Sequence, residues 1–218
     1  MKRRLPTILL LFLALNTTWF VLYSAQLGLR GLLSDTPESL SRFFRSDAPV
    51  SGAGLAIHMI AGGMLCLFAP LQALPVLRGR WPQIHRRLGY ALISLALVTG
   101  FAGLLYIANQ GTIGGWWMSL WFALYGLALI WCALRTLQCA IRQDRRAHQI
   151  WATRMIILAV GSWIFRMHYV LWFLLTGGLG STPDLTGPFD RIQVVAFFVP
   201  YLLLAELFLR RLPQNQLD

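Results

Sequence analysis

Six long apolar stretches dominate this chain, and they leave it few ways to fold. They run over about residues 6–26, 53–77, 88–108, 116–138, 151–175 and 192–209. Each is close to the ~20 residues that cross the hydrocarbon core of a bilayer. Lipid offers no water to a backbone amide, so each stretch must be a helix that closes its own hydrogen bonds. Charged residues are only 12% of the chain and hydrophobic residues 57%, whereas soluble domains are about a quarter charged. The expected fold class is all-α. It is a polytopic integral membrane bundle of six transmembrane helices, with residues 1–218 forming a single transmembrane domain.

The basic residues orient that bundle. Thirteen of the 19 Lys and Arg fall in one set of connections: Lys2 to Arg4, Arg78 to Arg87, Arg135 to Arg146, and Arg210 with Arg211. The opposite set carries Arg30, Arg42, Arg45 and Arg191 among the acids Asp35, Glu38, Asp47, Asp184 and Asp190. The positive-inside rule places both termini in the cytoplasm, and an even number of spans requires the same. The expected location is the bacterial inner membrane, multi-pass. The +11 charge is then topogenic and a contact for anionic membrane lipids, and nucleic acid is not an expected partner.

Several segments read as plain structure. The first stretch follows a basic start as a signal peptide does. It is long, however, it is broken by Asn16, Thr17 and Thr18, and its best small-residue site, after Ala25, has Tyr23 at −3. It is expected to stay as a helix. Cys66, Cys132 and Cys139 have neither metal nor disulfide spacing and read as small buried residues. In the loop at 27–52, Leu40, Phe43 and Phe44 alternate with Arg42 and Arg45 as in a segment lying on the membrane surface. The loop at 176–191 reads as a connection. Trp116, Trp117 and Trp121 read as an interfacial aromatic belt. Glu206 and Arg210 have the i, i+4 spacing of a helical ion pair.

Ionisable residues inside spans are rare without a use. The four histidines fall at two depths, His58 with His168 near one face and His85 with His148 near the other. Gly62 shares a helix face with His58, and Gly89 and Gly103 share one with His85. Small residues there admit either a flat ligand or a close helix. Pro70 is expected to kink the second helix, and Gln72 comes within about 40° of the His58 face. Arg166 lies five turns past His148, deep enough to need a partner: a propionate, a quinone oxygen or a lipid headgroup if it serves a site, backbone carbonyls or an outer-loop acid such as Asp190 if it does not. His168 is about 200° around the helix from Arg166. Arg154 sits one turn inside, where it either snorkels or serves a site. No serine or cysteine has a base nearby in the manner of a hydrolase, and whether the chain is an enzyme is left open.

The stretch from His58 to Arg166 resembles the bacterial membrane-protein family DUF2306. The resemblance rests on His58-Met59-Ile60-Ala61-Gly62, Pro70-Leu71-Gln72 and His85-Arg86-Arg87-Leu88-Gly89-Tyr90, followed by His148 with Trp151 and Arg154, and then Arg166. Ala152 departs from it, and His168 is outside it. The resemblance implies that the His, Gln and Arg positions form one constellation and brings no activity with it. A looser similarity, at fold level, is to two-haem b-type cytochromes and ferric-reductase-like bundles.

The leading expectation is a transmembrane electron carrier holding haem b. His58 with His168 and His85 with His148 would be the axial iron ligands, with Arg154, Arg166 and Gln72 contacting the cofactor and a quinone or other redox partner exchanging electrons. One alternative is a small-solute transporter with a polar path through His58, Gln72, Arg154 and Arg166. Others are a metal or quinone site at His85 and His148, or an assembly or lipid-contact protein without chemistry.

Overall fold

A computed structural model of the chain describes residues 4–211. These form helices α1 (Arg4–Leu33), α2 (Pro49–Phe68), α3 (Pro75–Arg80), α4 (Pro82–Gln110), α5 (Gly115–Ile141), α6 (Arg145–Thr176), α7 (Pro188–Ala196) and α8 (Val199–Arg211). Four of them, α2, α3, α4 and α7, open on proline. There the missing N–H is one the helix leaves unbonded anyway. Among the described residues five segments are long and apolar enough to cross a membrane: Pro49–Ala73, Pro82–Gln110, Gly115–Ile141, Arg145–Thr176 and Pro188–Leu209.

The expected second and sixth spans are each broken. Pro70 removes a donor and crowds the carbonyl four residues back, so α2 ends at Phe68 and the chain runs through a 3-10 turn at Pro70–Ala73 into α3. The kink expected at Pro70 is therefore a stop. Pro200 acts in the same way on the last span, which is divided between Ala196 and Val199. The chain turns sharply elsewhere with φ of +73° at Gly111 and +67° at Gly177, a conformation that glycine adopts without strain.

Helices α2, α4, α5 and α6 form the core. α2 packs on α4, α4 on α5, α5 on α6, and α6 returns to α2. α1 lies along α2, and α7 and α8 cover α5 and α6. Leu65, Leu92, Ala96, Tyr125, Leu129, Leu158 and Phe197 fill the middle. The Tyr125 hydroxyl donates to the Leu158 carbonyl, which satisfies a phenol inside the apolar core. Leu174, Leu175, Leu203 and Phe208 point outward and are exposed. Water does not tolerate so large an apolar surface; lipid does.

Two loops differ from the sequence reading. Phe44 is not on a surface but 1% exposed, with its ring over Gly31 of α1. The connection before α7 is knotted by Asp190, which is 0% exposed. Its carboxylate accepts from the hydroxyls of Tyr169 at 2.7 Å and Ser181 at 2.8 Å, and from the N–H groups of Thr182 and Gly187 at 3.0 Å each. Trp121 also departs from the belt. It packs edge-on to Phe198, while Trp116 remains exposed.

Replacing Asp190 by Ala leaves several donors unpaired at once, each costing about 1–3 kcal/mol where water cannot reach. The expected outcome for Asp190→Ala is a melting temperature in detergent lower by ~5 °C or more, with Asp190→Asn losing less. An unchanged melting temperature shows that the knot contributes nothing.

Candidate functional site

Polar side chains gather at both ends of the core. At the arginine-rich end, Gln72 in the 3-10 turn donates its Nε2 to the His85 carbonyl in the first turn of α4, at 2.9 Å. The Gln72 Oε1 and the His85 Nδ1 are both buried without a partner. His148 opens α6, whose first turn is capped by the Asp144 carboxylate on the Ala147 N–H at 2.9 Å. The His148 Nδ1 meets the Thr136 carbonyl of α5 at 3.1 Å. His85 stands within electrostatic reach of His148 and Arg78. Trp151, one turn past His148, is flanked by two guanidinium groups, Arg154 at 4.2 Å and Arg135 at 5.4 Å from the ring centroid.

Arg154 does not snorkel to headgroups. Its Nε and Nη2 grip both oxygens of Glu206 on α8, at 2.6 and 3.0 Å. A bidentate fork of this kind fixes geometry as well as charge. Glu206 thus pairs across helices; the Arg210 side chain of the expected i, i+4 pair lies outside the described residues.

At the opposite end, His58 lies nine residues into α2, about 14 Å along it. Its Nδ1 meets the Thr99 carbonyl of α4 at 2.9 Å, and its ring lies against Gly103, where a Cβ would come within 2.8 Å of Nδ1. Gly62 likewise faces Thr99. The glycines beside His58 and along α4 thus serve close helix contact. Arg166 on α6 is exposed and turns toward Phe20 of α1. Its Nη1 donates to the Ser162 carbonyl at 2.9 Å and its guanidinium lies 4.6 Å from the Phe20 ring centroid. His58, Cys66 and Tyr23 are in electrostatic reach.

His168 faces away from Arg166, toward α7 and α8. Its Nδ1 donates to Gln193 Oε1 at 3.0 Å and its Nε2 accepts from the Tyr201 hydroxyl at 2.8 Å. Gln193 is oriented by its Nε2 on the Phe165 carbonyl at 3.1 Å. Both ring nitrogens are therefore engaged, so in this arrangement His168 does not offer a lone pair to an iron shared with His58. His58 and His148 are different. A carbonyl oxygen only accepts, so each Nδ1 carries the proton, and the neutral ring keeps its lone pair at Nε2. No three His, Cys, Asp or Glu side chains among the described residues gather as metal ligands do, and the three cysteines are buried and form no disulfide.

A family model for predicted membrane proteins, DUF2306, matches residues 55–209. The chain belongs to this family. The DUF2306 segment begins in α2 and takes in each of the His, Gln and Arg candidates, so both polar ends are family territory and α1 precedes it. With the five apolar spans, the match makes the chain a multi-pass membrane protein. No curated protein and no solved structure matches it.

Thr136, Gln193 and Tyr201 carry no signal of their own in the sequence, because their partners come from other helices. Trp151 and Arg154 sit at i and i+3 on one helix face, a spacing at which side chains meet.

Gly103→Ala is expected to push the His58 ring off α4 and break its bond to the Thr99 carbonyl, lowering stability by roughly 1–3 kcal/mol as overpacking does. In a double-mutant cycle, His58→Ala should recover most of that loss. Simple additivity of the two melting-temperature changes refutes the contact.

Proposed function

We propose that the chain is a six-span protein of the bacterial inner membrane, with α1 as the first span and both termini cytoplasmic. Its working site is the cytoplasmic cluster of Gln72, His85 and His148. The observation that carries this reading is the pair of buried, unpartnered atoms, Gln72 Oε1 and His85 Nδ1. Buried polar atoms almost always have partners, and these two belong to side chains already tied together by the Gln72–His85 hydrogen bond. His148, with its Nε2 open, stands within electrostatic reach of His85. Gln72 Oε1 can only accept, and His148 Nε2 accepts in the neutral ring. The complementary ligand therefore brings hydroxyl donors. Among membrane-soluble compounds the quinol class supplies two such hydroxyls on one ring, with an apolar tail that lipid accommodates. In this role Gln72 and His148 bind and orient the head group, and His85 holds or releases a proton at Nδ1. Arg154, clamped to Glu206 and stacked on Trp151, fixes the start of α6 and hence His148.

The test is binding of a short-chain benzoquinol to detergent-purified protein, followed by tryptophan fluorescence. His85→Ala and Gln72→Ala are each expected to weaken binding about tenfold, the effect of losing one hydrogen bond to a buried polar group. His168→Ala should leave it unchanged. Equal affinity in all three variants overturns the reading.

A second reading, the haem b electron carrier, is favoured by the His58 and His148 rings. An imidazole whose Nδ1–H is held by a backbone carbonyl is oriented as metal-ligating histidines are. It would need a second axial ligand for His58, which His168 does not supply as placed. An absorption spectrum of protein from haem-replete cells separates the two readings. A colourless preparation is expected; a Soret band with a sharp reduced alpha band would install haem in its place.

A further inference from the structure

The arginine-rich end of α5 carries a groove of about 560 Å³ that the histidine site does not use. It is lined by Trp131, Leu134, Arg135, Gln138, Ile141 and Arg142, together with Leu137. The spacing of 131, 134, 135, 138 and 142 places these residues on one helix face. The face is graded along the bundle axis. Trp131 and Leu134, deeper in, are 58% and 45% exposed and form an apolar floor. Arg135 follows, and Arg142 stands two turns farther out, about 10 Å along the helix.

Neither arginine has an acidic partner. Among the described residues the ion pairs are Arg45 with Asp47 and Arg154 with Glu206. The negative end of the α5 dipole accounts for a cation at Arg142. It does not account for Arg135, because that field fades within the last turn. Arg135 is nevertheless held firmly in place. Its Nη1 donates to Gln138 Oε1, and its guanidinium rests over the Trp151 ring. Its Nε is buried without a partner, and its Nη2 has none among the described residues. A half-buried guanidinium without a carboxylate, near the membrane interface, is a seat for an anionic headgroup. The apolar floor requires the same ligand to carry a hydrocarbon chain.

We propose that this groove binds one anionic phospholipid, with an acyl chain along Trp131 and Leu134 and the phosphate between Arg135 and Arg142. Charge complementarity selects the headgroup, and the two-turn separation of the arginines leaves space for a phosphodiester between them.

The test is native mass spectrometry of the full chain released from nanodiscs of phosphatidylglycerol and phosphatidylcholine in equal amounts. Wild-type protein is expected to retain one phosphatidylglycerol at least tenfold over phosphatidylcholine, and millimolar inorganic phosphate should not displace it. The Arg135→Gln/Arg142→Gln variant should lose that preference. Arg86→Gln/Arg87→Gln, at the same end but off the groove, should keep it, as should His85→Ala. Should the double variant fail to fold, Arg142→Gln, at the exposed helix end, should retain the lipid several-fold less. Equal retention of both lipids by wild type, displacement by inorganic phosphate, or undiminished preference in the arginine variants overturns the proposal.

Discussion

Helices in lipid approach each other only as closely as their facing side chains allow, and along α4 the limiting side chains are absent. Gly103 receives the His58 ring of α2, Gly89 faces Gln72, and Gly100 lies against Ile130 of α5. Hydrophobic burial does not drive these contacts, since lipid tails are as apolar as leucine. What remains is packing and hydrogen bonding between helices, which small residues permit. α4 is therefore the shared wall of the bundle. Its carbonyls at Thr99 and His85 take hydrogen bonds from His58 and Gln72, and both polar ends of the core are built on it.

A single rule explains most of the remaining polar residues. Each intramembrane side chain that can find a partner on a neighbouring helix does so: His148 on Thr136, His168 on Gln193 and Tyr201, Arg154 on Glu206. The exceptions among the described residues are Gln72 Oε1, His85 Nδ1, Arg135 Nε, Thr99 Oγ1 and Trp121 Nε1, of which the first three lie at the arginine-rich end of the bundle. That three of these five unmet groups share one end is a reason to place ligands there.

Five of the spans were legible because a long apolar run has one meaning in lipid, and most of their limits fell within a few residues of the helices. The breaks were partly legible: Pro70 announced an interruption, but not that the helix would stop and restart as α3, and Pro200 was passed over inside an apolar run. Depth was legible for the histidines and partnership was not. Gln193 and Tyr201 reach His168 from 25 and 33 residues away, and Glu206 reaches Arg154 from 52. Which helices adjoin decides such meetings, and hydropathy does not encode adjacency. Phe44 and Asp190 were misread for the same reason. A loop composition suggests solvent until a glycine opposite, or a ring of donors, turns one residue into a plug or a knot.

The interruption before Val199 gives the final helix a mechanical character. α8 is anchored at its start by Phe197 and Phe198, which are buried against Tyr125 and Trp121, and seven residues past that start by the clasp of Glu206 on Arg154. Between these two points it lies against α6. A rod held in this way can pivot at the first anchor whenever the second lets go. A proton delivered to Glu206 would weaken the charge-assisted fork to Arg154 and so the tie between α8 and α6. The start of α6, and with it His148, would then feel the charge state of a carboxylate on a different helix.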